Sequence, residues 1–342
     1  MNHNDRIKAG VIGLGVGCRH LETLISHPGC EIKAVCDFNP RVLAESSMRS
    51  PTIATIKDAD QLINDTEIDL IIIASYDNYH YHHVIESLKN GKHVFVEKPL
   101  CLFQEEAAHI RQVLRQHPDL HLSSNLALRT CPLFISLKEK IQSGQMGDVY
   151  SINGQYLWGR TERLLHGWRK HLEFYSLTHG AAIHLIDLIM WLTGQKPFEV
   201  QAYASRLATR QTDFKFNSFI SGLLNFNGGL IAHVDAHGAC VHPHFHQLQV
   251  FGSQATFSHH IGESEWISAD VVNKDFDRRK CEEPYPAKEL RSQCLLGFVD
   301  FLLGQRSSPP VEPQEVFDVM SVCFAIEKAL AQHQPIAVEF FN

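Results

Sequence analysis

The sequence lacks the features that mark membrane proteins, secreted disulfide proteins and nucleic-acid binders. Its most apolar run, around Leu70–Ala74, is far shorter than the ~20 residues that a membrane helix needs. The polar start MNHNDRIKAG predicts no signal peptide. The nine cysteines form no CxxC pair, which favours reduced thiols in the cytoplasm over a disulfide framework. A formal net charge of -7 argues against broad nucleic-acid binding, because that needs a basic face.

No internal repeat or low-complexity linker interrupts the 342 residues, which are enough for two domains. In the first part, helical segments alternate with four runs that are mainly apolar rather than alternating: Ile7–Ile12, Ile32–Cys36, Leu70–Ala74 and His93–Val96. Such runs are typical of parallel strands covered on both faces. We therefore expect an α/β Rossmann fold, a doubly wound parallel sheet that binds ligands beyond the carboxyl ends of its strands.

The pattern changes near Asn125. A helix after Pro132, a strand over Asp148–Trp158 and an apolar helix over Gly180–Leu192 are predicted, and two helices close the chain. Four further strand-like runs are Glu199–Ala204, Phe219–Phe226, Leu230–Ala236 and Gln247–Phe251. They predict an α+β domain with a large, mainly antiparallel open sheet. The predicted domains are residues 1–124, which bind the cofactor, and 125–342, which bind substrate and form oligomers.

A glycine loop lies where the first strand meets the first helix. Gly13 permits a tight turn, Gly15 lets the backbone approach a pyrophosphate, and Val16 and Gly17 lead into the helix. Cys18 stands where the usual fingerprint has its third glycine, and it is small enough for close packing. Many tight turns carry glycines without any ligand, so the loop alone is weak evidence.

An acidic residue strengthens the cofactor prediction. Asp37, followed by Phe38, ends the second strand about twenty residues after the loop, where a carboxylate binds ribose hydroxyls. The same carboxylate would repel a 2′-phosphate, so NAD is favoured over NADP. The alternative is that Asp37 only initiates a turn before Asn39-Pro40.

Two motifs carry a resemblance to a known family. The segment GKHVFVEKPL, residues 91–100, and the segment ASYDNYH, residues 74–80, resemble the Gfo/Idh/MocA (glucose-fructose oxidoreductase/inositol dehydrogenase) family from Ile7 to about Gly194. Ser75 and Tyr76 depart from the Thr-Pro that is usual there. The resemblance implies that Lys98 is the active-site lysine. It also implies cofactor contacts from the segments that contain Ser75, Tyr76, His80, Glu97, Lys98 and Asn125.

The residues around Lys98 agree with this role. Pro99 has a fixed φ and biases Lys98 towards an extended conformation, which holds the ammonium in one direction. Partial desolvation and neighbouring cations would lower the pKa of Lys98 towards neutrality. Lys98 would then polarise or deprotonate a substrate hydroxyl while the substrate carbon gives hydride to nicotinamide. The alternative is a solvated surface lysine.

A second catalytic segment is predicted on the apolar helix. His184 and Asp187 are three residues apart and share one helix face. They resemble the family segment whose histidine accepts a proton beside the lysine, so Lys98 and His184 are predicted as the acid/base pair and Asp187 as a positional residue. Many members carry an aspartate four residues before the histidine, where this chain has Gly180. The alternative for His184 is a hydrogen-bonded core histidine.

The substrate residues are predicted from position and charge. Arg129 follows the sixth strand, and a basic and aromatic cluster precedes the catalytic helix. Its members are Tyr156, Arg160, Arg163, Trp168, Arg169 and Tyr175. Arginine suits carboxylates or phosphates, which fits a sugar acid or a nucleotide-linked sugar. We select Arg129, Tyr156, Arg169 and Tyr175, with Lys98 and His184, as substrate residues; the alternative is a solvated loop.

The run from Cys240 to His246 invites a metal-site interpretation. On an extended strand His242, His244 and His246 would share one face. Ligands two apart on a flat strand rarely complete a tetrahedron, and Pro243 indicates an edge or loop. We therefore predict no metal.

The leading interpretation is an NAD-dependent oxidoreductase acting on a sugar, polyol or nucleotide-sugar, such as a UDP-N-acetyl-hexosamine derivative. The alternatives are an NAD-binding regulator, an NAD-dependent redox-neutral glycoside hydrolase and, remotely, a metallo-hydrolase. The resemblance also implies a homodimer or homotetramer, for which Phe219–Phe226 and Leu230–Val234 would provide the surface.

Overall fold

The computed structural model describes residues 6–49, 52–270, 275–286 and 291–341. These residues form fifteen strands and ten α-helices. The strands are β1 Ile7–Ile12, β2 Cys30–Cys36, β3 Ala54–Ile56, β4 Leu70–Ile73, β5 His93–Val96, β6 Leu122–Ser124, β7 Val149–Leu157, β8 Pro197–Ser205, β9 Phe219–Phe226, β10 Ile231–His237, β11 Phe245–Gly252, β12 Ala255–His260, β13 Glu263–Asp270, β14 Asp275–Lys280 and β15 Ile336–Ala337. The helices are α1 Gly17–Ile25, α2 Pro40–Arg49, α3 Ala59–Ile63, α4 His80–Lys89, α5 Gln104–Gln116, α6 Pro132–Gln142, α7 Thr161–Leu165, α8 Ile183–Thr193, α9 Gln293–Leu302 and α10 Pro313–Gln332.

The chain divides into two compact units. The first comprises the described residues of 1–127 and 289–317, and the second those of 128–288 and 318–342. The boundary after residue 127 lies close to the predicted change near Asn125. The segment 289–317, which contains α9, belongs with the first unit rather than with the second domain expected from the sequence.

The first unit is built on a six-stranded parallel sheet in the order β3-β2-β1-β4-β5-β6. Strand β4, Leu70–Ile73, is fully buried along its length because both faces of the sheet are covered. The order reverses between β1 and β4, and the carboxyl ends of these two strands form the crevice where doubly wound sheets bind ligands.

The second unit is built on a nine-stranded sheet in the order β14-β13-β12-β11-β7-β10-β9-β8-β15. The pair β7 and β10 is parallel, while the other neighbours run antiparallel. Helix α8 packs on β7, where a Cβ on Gly154 would lie 3.3 Å from the Leu185 side chain. The helix ends at Gly194, whose φ of +67° is the left-handed conformation that glycine adopts without strain.

The predicted fold class is confirmed, with a parallel Rossmann sheet followed by a mixed, mainly antiparallel one. Strands β12, β13 and β14 were not predicted. Strand β14 has the sequence DFDRRK and is almost wholly exposed, so it lacks the apolar alternation that identifies a half-buried strand. Its charges suit an edge of the sheet, where they discourage pairing with another chain.

Candidate active site

The turn between β1 and α1 has the geometry of a phosphate-binding loop. Gly13 has a φ of +85°, and a Cβ on it would lie 2.4 Å from the carbonyl oxygen of Ala74, so glycine is required. A Cβ on Gly17 would lie 3.2 Å from the Val11 side chain, so close packing holds this end of the loop. A Cβ on Gly15 would meet no atom within 4 Å. The backbone at Gly15 therefore faces open space that a ligand can enter.

The first turn of α1 lies beside this open space. Val16 precedes the helix, is 52% exposed, and provides no side-chain cap for the helix amides. Uncapped amides at a helix N-terminus attract anions and hold the pyrophosphate of dinucleotides in Rossmann folds. The loop therefore fits the cofactor that its glycines predict.

Asp37 follows β2 and anchors the glycine loop. Its Oδ2 accepts a hydrogen bond of 2.8 Å from the amide of Leu14, and its Oδ1 accepts one of 2.8 Å from the amide of Asn39. The hydrogen bond from Asn39 forms a turn, which is the alternative role that the sequence left open for Asp37. The carboxylate is only partly buried, so ribose recognition at the same group stays a prediction.

Aromatic side chains flank the loop on both sides of β1. Phe38 follows β2 and is 68% exposed, and its ring lies 5.5 Å from the ring of Tyr76, which follows β4. Ser75 beside it is hydrogen-bonded through Oγ to Nδ1 of His83 at 3.1 Å. The predicted cofactor residues after β2 and β4 are thus brought together at one edge of the sheet.

Glu97 is the centre of a polar network at the end of β5. Its Oε1 accepts hydrogen bonds from Nε2 of His20 at 2.8 Å and from Nδ2 of Asn125 at 2.7 Å. Because a carboxylate only accepts, the amide nitrogen of Asn125 must face Glu97 and its Oδ1 must face away. That Oδ1 is buried and accepts no hydrogen bond from the described residues. It is suited to accept from an N–H of a bound group, such as a carboxamide.

The network fixes the charge state of Glu97. Burial alone would raise the pKa of this carboxyl group. Hydrogen bonds from His20 and Asn125, together with the charges of His20 and Lys98, outweigh burial and hold the pKa below its ordinary value. The residue before Lys98 is therefore an ionised carboxylate at neutral pH.

Lys98 lies partly buried in the turn after β5, and its peptide bond to Pro99 is cis. The carbonyl oxygen of Pro99 lies 2.6 Å from Nδ1 of His80, whose Nε2 lies 3.1 Å from the carbonyl oxygen of Ser75. The His80 ring is 1% exposed, and the cofactor contact expected of this residue stays a prediction. The ring ties the turn after β4 to the turn that carries Lys98.

In the second unit, His184 stacks on a buried tyrosine. The rings of His184 and Tyr156 are 5.9 Å apart and almost parallel, at 7°. Two further histidine rings surround Tyr156, that of His246 at 4.9 Å and that of His244 at 5.2 Å. Tyr156 is 7% exposed, so it orients His184 and offers little surface to a substrate.

Asp187 lies one turn after His184 and is paired with Arg129. The Asp187 carboxylate accepts hydrogen bonds from Nε of Arg129 at 3.0 and 3.1 Å and from Nη2 at 2.6 Å. The two side chains are 2% and 6% exposed. The guanidinium that the sequence assigned to substrate is therefore engaged by Asp187, and the positional role of the aspartate stays a prediction.

Arg169 lies among three aromatic rings. Its guanidinium carbon is 4.4 Å from the ring centre of Trp168, 5.2 Å from that of Trp158 and 5.7 Å from that of Tyr175. Tyr175 is 5% exposed and Arg169 is partly buried, whereas Arg160 and Arg163 of the same segment are exposed. Arg169 thus differs from the two solvated arginines of the predicted cluster in being partly buried.

The three histidines of the run from Cys240 to His246 do not bring their rings together at one point, as three metal ligands on one strand face would. His244 and His246 have ring centres 5.0 Å apart, and Nδ1 of His246 is hydrogen-bonded to the Tyr285 hydroxyl at 2.6 Å. The His242 ring instead contacts the carbonyl oxygen of Pro243 at 2.8 Å. Among the residues that the structure describes, no group of three or more His, Cys, Asp or Glu side chains has metal-binding geometry.

Comparison with known protein families decides the relationship. Residues 7–124 match the model of the GFO/IDH/MocA oxidoreductase family with its NAD-binding Rossmann fold, and residues 134–258 match the model of the GFO/IDH/MocA C-terminal domain. The chain belongs to the Gfo/Idh/MocA family. It is an oxidoreductase with an NAD-binding domain, as the two motifs predicted, and the family match extends beyond Gly194, where the resemblance of the residues fades.

The relatives of this Gfo/Idh/MocA chain include polyol dehydrogenases. It is 25% identical over 229 residues to inositol 2-dehydrogenase 2 of Saccharopolyspora erythraea, a match that covers 66% of this chain and 65% of that protein. The fold matches myo-inositol 2-dehydrogenase from Lactobacillus plantarum with a TM-score of 0.84 at 21% identity, over 98% and 100% of the chains. It matches scyllo-inositol dehydrogenase from Lactobacillus casei, with bound NAD(H) and scyllo-inositol, with a TM-score of 0.80 at 20% identity, over 98% and 99%.

One departure from the Gfo/Idh/MocA pattern has a steric explanation. A Cβ on Gly180 would lie 2.7 Å from the hydroxyl oxygen of Tyr175. The space that an aspartate side chain would enter is thus occupied by the Tyr175 hydroxyl. In this family member the space beside the position four residues before His184 is therefore filled by the side chain of Tyr175, five residues earlier in the chain.

Sequence reasoning missed two residues of the site. His20 lies on the buried face of α1 with Gly17, Leu21 and Leu24, and that helical spacing was the available signal. Trp158 follows Tyr156 by two residues and thus lies on the same side of an extended strand.

No helix in the described part of the chain has the length and apolar character needed to cross a membrane.

Proposed function

We propose that this protein oxidises or reduces a hydroxyl-bearing carbon of a sugar or polyol, transferring hydride to or from NAD. Lys98 carries the proposal, since it is held in the turn after β5 beside an ionised Glu97 within an NAD-binding family domain. The named activities of the relatives, inositol dehydrogenases among them, support a polyol or sugar as substrate. A nucleotide-linked sugar belongs to the same class of substrate.

The preference for NAD over NADP rests on Asp37. Both carboxylate oxygens accept backbone hydrogen bonds, from Leu14 and Asn39, and these bonds hold the carboxylate next to the glycine loop. A fixed negative charge at the end of β2 repels a 2′-phosphate and accepts from ribose hydroxyls. The residues that would hold the dinucleotide are Gly13, Gly15, Val16, Gly17, Asp37, Phe38, Ser75, Tyr76, Glu97 and Asn125.

Proton transfer is assigned to Lys98 and His184. When bound, NAD supplies the acceptor for hydride. Nζ of Lys98 would polarise the substrate hydroxyl, and a ring nitrogen of His184 would take its proton, so that the oxygen becomes a carbonyl as hydride leaves. The Tyr156 stack and the Arg129–Asp187 pair support the assignment for His184, because they restrain the helix and ring that carry the base.

Two rival functions share the same fold. A regulator would bind NAD without turnover, and a redox-neutral glycoside hydrolase would release sugar without accumulating NADH. Lys98 together with His184 favours the dehydrogenase, since family members that act as regulators tend to lose the lysine. The same experiment separates the three.

The test follows NADH absorbance with NAD or NADP and a panel of inositols, monosaccharides, sugar acids and UDP-N-acetyl-hexosamines. We expect net NADH with at least one member of the panel and a strong preference for NAD. NAD binding without net NADH would overturn the dehydrogenase, and chromatography of the products would then detect any hydrolysis. Failure of NAD to bind would overturn the cofactor assignment itself.

We propose further that the protein forms a homodimer or homotetramer in a reducing compartment such as the cytoplasm. Leu223 on β9 and Ile231 on β10 lie on one face of the sheet and are 48% and 52% exposed, which supports an interface there. All nine cysteines are free thiols, which supports the compartment. Light scattering on the purified protein measures the number of subunits.

A further inference from the structure

Arg169 with the rings of Trp158, Trp168 and Tyr175, which we call the arginine cage, has the features of an anion site. From its geometry we propose that the cage binds a carboxylate of the substrate, so that the enzyme prefers a sugar acid over the corresponding neutral sugar. This inference rests on the proposed function and names the substrate class more narrowly. The inositols named for its relatives carry no such charge.

The rings contact the guanidinium, and its Nε is left without a hydrogen-bond partner among the described residues. Three aromatic ring centres lie within 5.7 Å of its central carbon, and such contacts engage the faces of the group rather than its N–H edge. The Nε of Arg169 is buried and has no hydrogen-bond partner among the described residues. The described residues likewise provide no carboxylate that pairs with this arginine.

An arginine with a purely structural role is usually satisfied by the protein. Arg129 in the same unit shows that arrangement, since Asp187 accepts hydrogen bonds from its Nε and Nη2. A buried guanidinium nitrogen without an acceptor carries a desolvation cost that a bound anion would remove. The cage therefore resembles a prepared site for an acceptor with two oxygens, which matches the planar N–H edge.

The cage is joined to the predicted base by two structural links within the second unit. Trp158 follows Tyr156, the tyrosine that stacks on His184, by two residues, or about 7 Å along an extended strand. Tyr175 packs with its hydroxyl against Gly180, one helical turn before His184. Through these links the cage contacts the two elements that carry Tyr156 and His184.

The number of fixed positive charges in this segment favours a ligand with one negative charge. Arg160 and Arg163 are exposed, so solvent screens their contribution. Of the three arginines, Arg169 is the one that packs among aromatic rings. One bidentate guanidinium matches a carboxylate monoanion better than a phosphate dianion, which is usually bound by several cations or a helix N-terminus.

The test compares matched pairs of substrates that differ in the carboxylate. The value of kcat/KM is measured for glucose and glucuronate and for galactose and galacturonate with saturating NAD. The wild-type enzyme is expected to prefer the acid about tenfold to hundredfold, as one charged hydrogen-bonded pair allows. In Arg169→Met the ratio should fall to near one, mainly through KM. Arg169→Lys, which keeps the charge but not the fork, should lose most of the preference.

Arg163→Met is the matched control, because it removes an exposed arginine from the same segment and should keep the wild-type ratio. Equal rates for acid and neutral sugar in the wild type would overturn the proposal. So would an acid preference that survives in Arg169→Met. A stronger preference for glucose 6-phosphate than for glucuronate would show that the site selects phosphate instead.

Binding separates this inference from the proposed function. Trp158 and Trp168 form two walls of the cage, so titration with glucuronate in the presence of NAD should change tryptophan fluorescence. If no sugar is turned over but the fluorescence change occurs in the wild type and not in Arg169→Met, the cage stands and the dehydrogenase assignment fails. If the wild type shows neither turnover nor binding of glucuronate, both fail. Thermal unfolding of each variant confirms that it is folded.

Discussion

Arg129 and Asp187 form a buried ion pair in which the aspartate accepts hydrogen bonds from both Nε and Nη2 of the arginine. Asp187 lies on the helix that carries His184, and Arg129 lies in a short 3-10 helix over Ala127–Thr130. The two side chains are 6% and 2% exposed, and each charge neutralises the other. The pair therefore fixes the helix of the predicted base to a second element of its own unit.

Breaking this pair should destabilise the second unit. Asp187→Ala leaves a buried guanidinium without its counter-charge, so we expect the free energy of unfolding to fall by about 3–5 kcal/mol. Thermal unfolding followed by circular dichroism measures the loss. The double variant Arg129→Met/Asp187→Leu removes both charges and should recover most of it. A single variant as stable as the wild type would show that the pair does not hold the helix.

The first two glycines of the motif, Gly13 and Gly15, should respond differently to alanine. Gly13→Ala introduces a Cβ 2.4 Å from the Ala74 carbonyl oxygen at a φ of +85°, so stability should fall by about 1–3 kcal/mol or more. Gly15→Ala meets no protein atom within 4 Å, so the melting temperature should hardly change while the affinity for NAD falls at least tenfold. Calorimetric titration with NAD measures the second effect. Unchanged NAD affinity in Gly15→Ala would place the pyrophosphate elsewhere.

The sequence pattern predicts several strands and helix ends of the first unit. The strands β1, β4 and β5 are mainly apolar runs, and Gly91, with its φ of +74°, stops the helix before β5 as its position indicates. Patterning could not show that residues 291–317 join the first unit. That assignment depends on long-range contacts such as the hydrogen bond from the Ser123 hydroxyl to the carbonyl oxygen of Val311.

The candidate site shows the same division. The motifs give Lys98 and His184 as candidates because each lies in a segment with a recognisable family pattern, and their roles stay predictions. They did not show that Asp187 engages the Arg129 side chain, that the His80 ring is buried between two turns, or that His20 holds Glu97. Those relationships join residues far apart in the sequence, so no local periodicity records them.

Asp37 should control the choice between NAD and NADP. Asp37→Ser removes the negative charge while leaving a short polar side chain after β2. We expect the ratio of kcat/KM for NAD to that for NADP to fall at least tenfold, because a 2′-phosphate is no longer repelled. The control is Asp58→Ser, which replaces an exposed aspartate that caps α3. This variant should keep the wild-type ratio of kcat/KM for NAD to that for NADP. An unchanged ratio in Asp37→Ser would leave Asp37 with its turn-forming role alone.

Acid should destabilise the fold through buried neutral histidines. Burial, and then the charge of His260, lowers the pKa of His259 from 6.5 to about 4, and the side chain is 2% exposed. Between these two pH values the unfolded state binds more protons than the folded state, so stability is complete above pH 6.5 and falls as the pH is lowered. His83 and His93 act in the same direction, with pKa values also lowered to about 4 by burial.

Removing one of these groups tests the pH dependence. His259→Leu should reduce the loss of stability between pH 6.5 and pH 4 by about 3 kcal/mol relative to the wild type. Melting temperatures across that range measure it. The control is His260→Leu, which replaces the partly exposed neighbouring histidine. It should reduce the loss of stability far less than His259→Leu does. Parallel curves for the wild type and His259→Leu would contradict the assignment of a neutral buried imidazole.

The most direct test of the central claim is the turnover of Lys98→Met with a substrate that the wild type oxidises. Methionine keeps the length of the side chain and removes the charge. We expect kcat to fall about 10²–10⁴-fold while the affinity for NAD stays within a few-fold of the wild-type value. Lys89→Met, in an exposed lysine at the end of α4, should behave as the wild type. A Lys98→Met enzyme that keeps its kcat within about tenfold would contradict a catalytic role for this lysine.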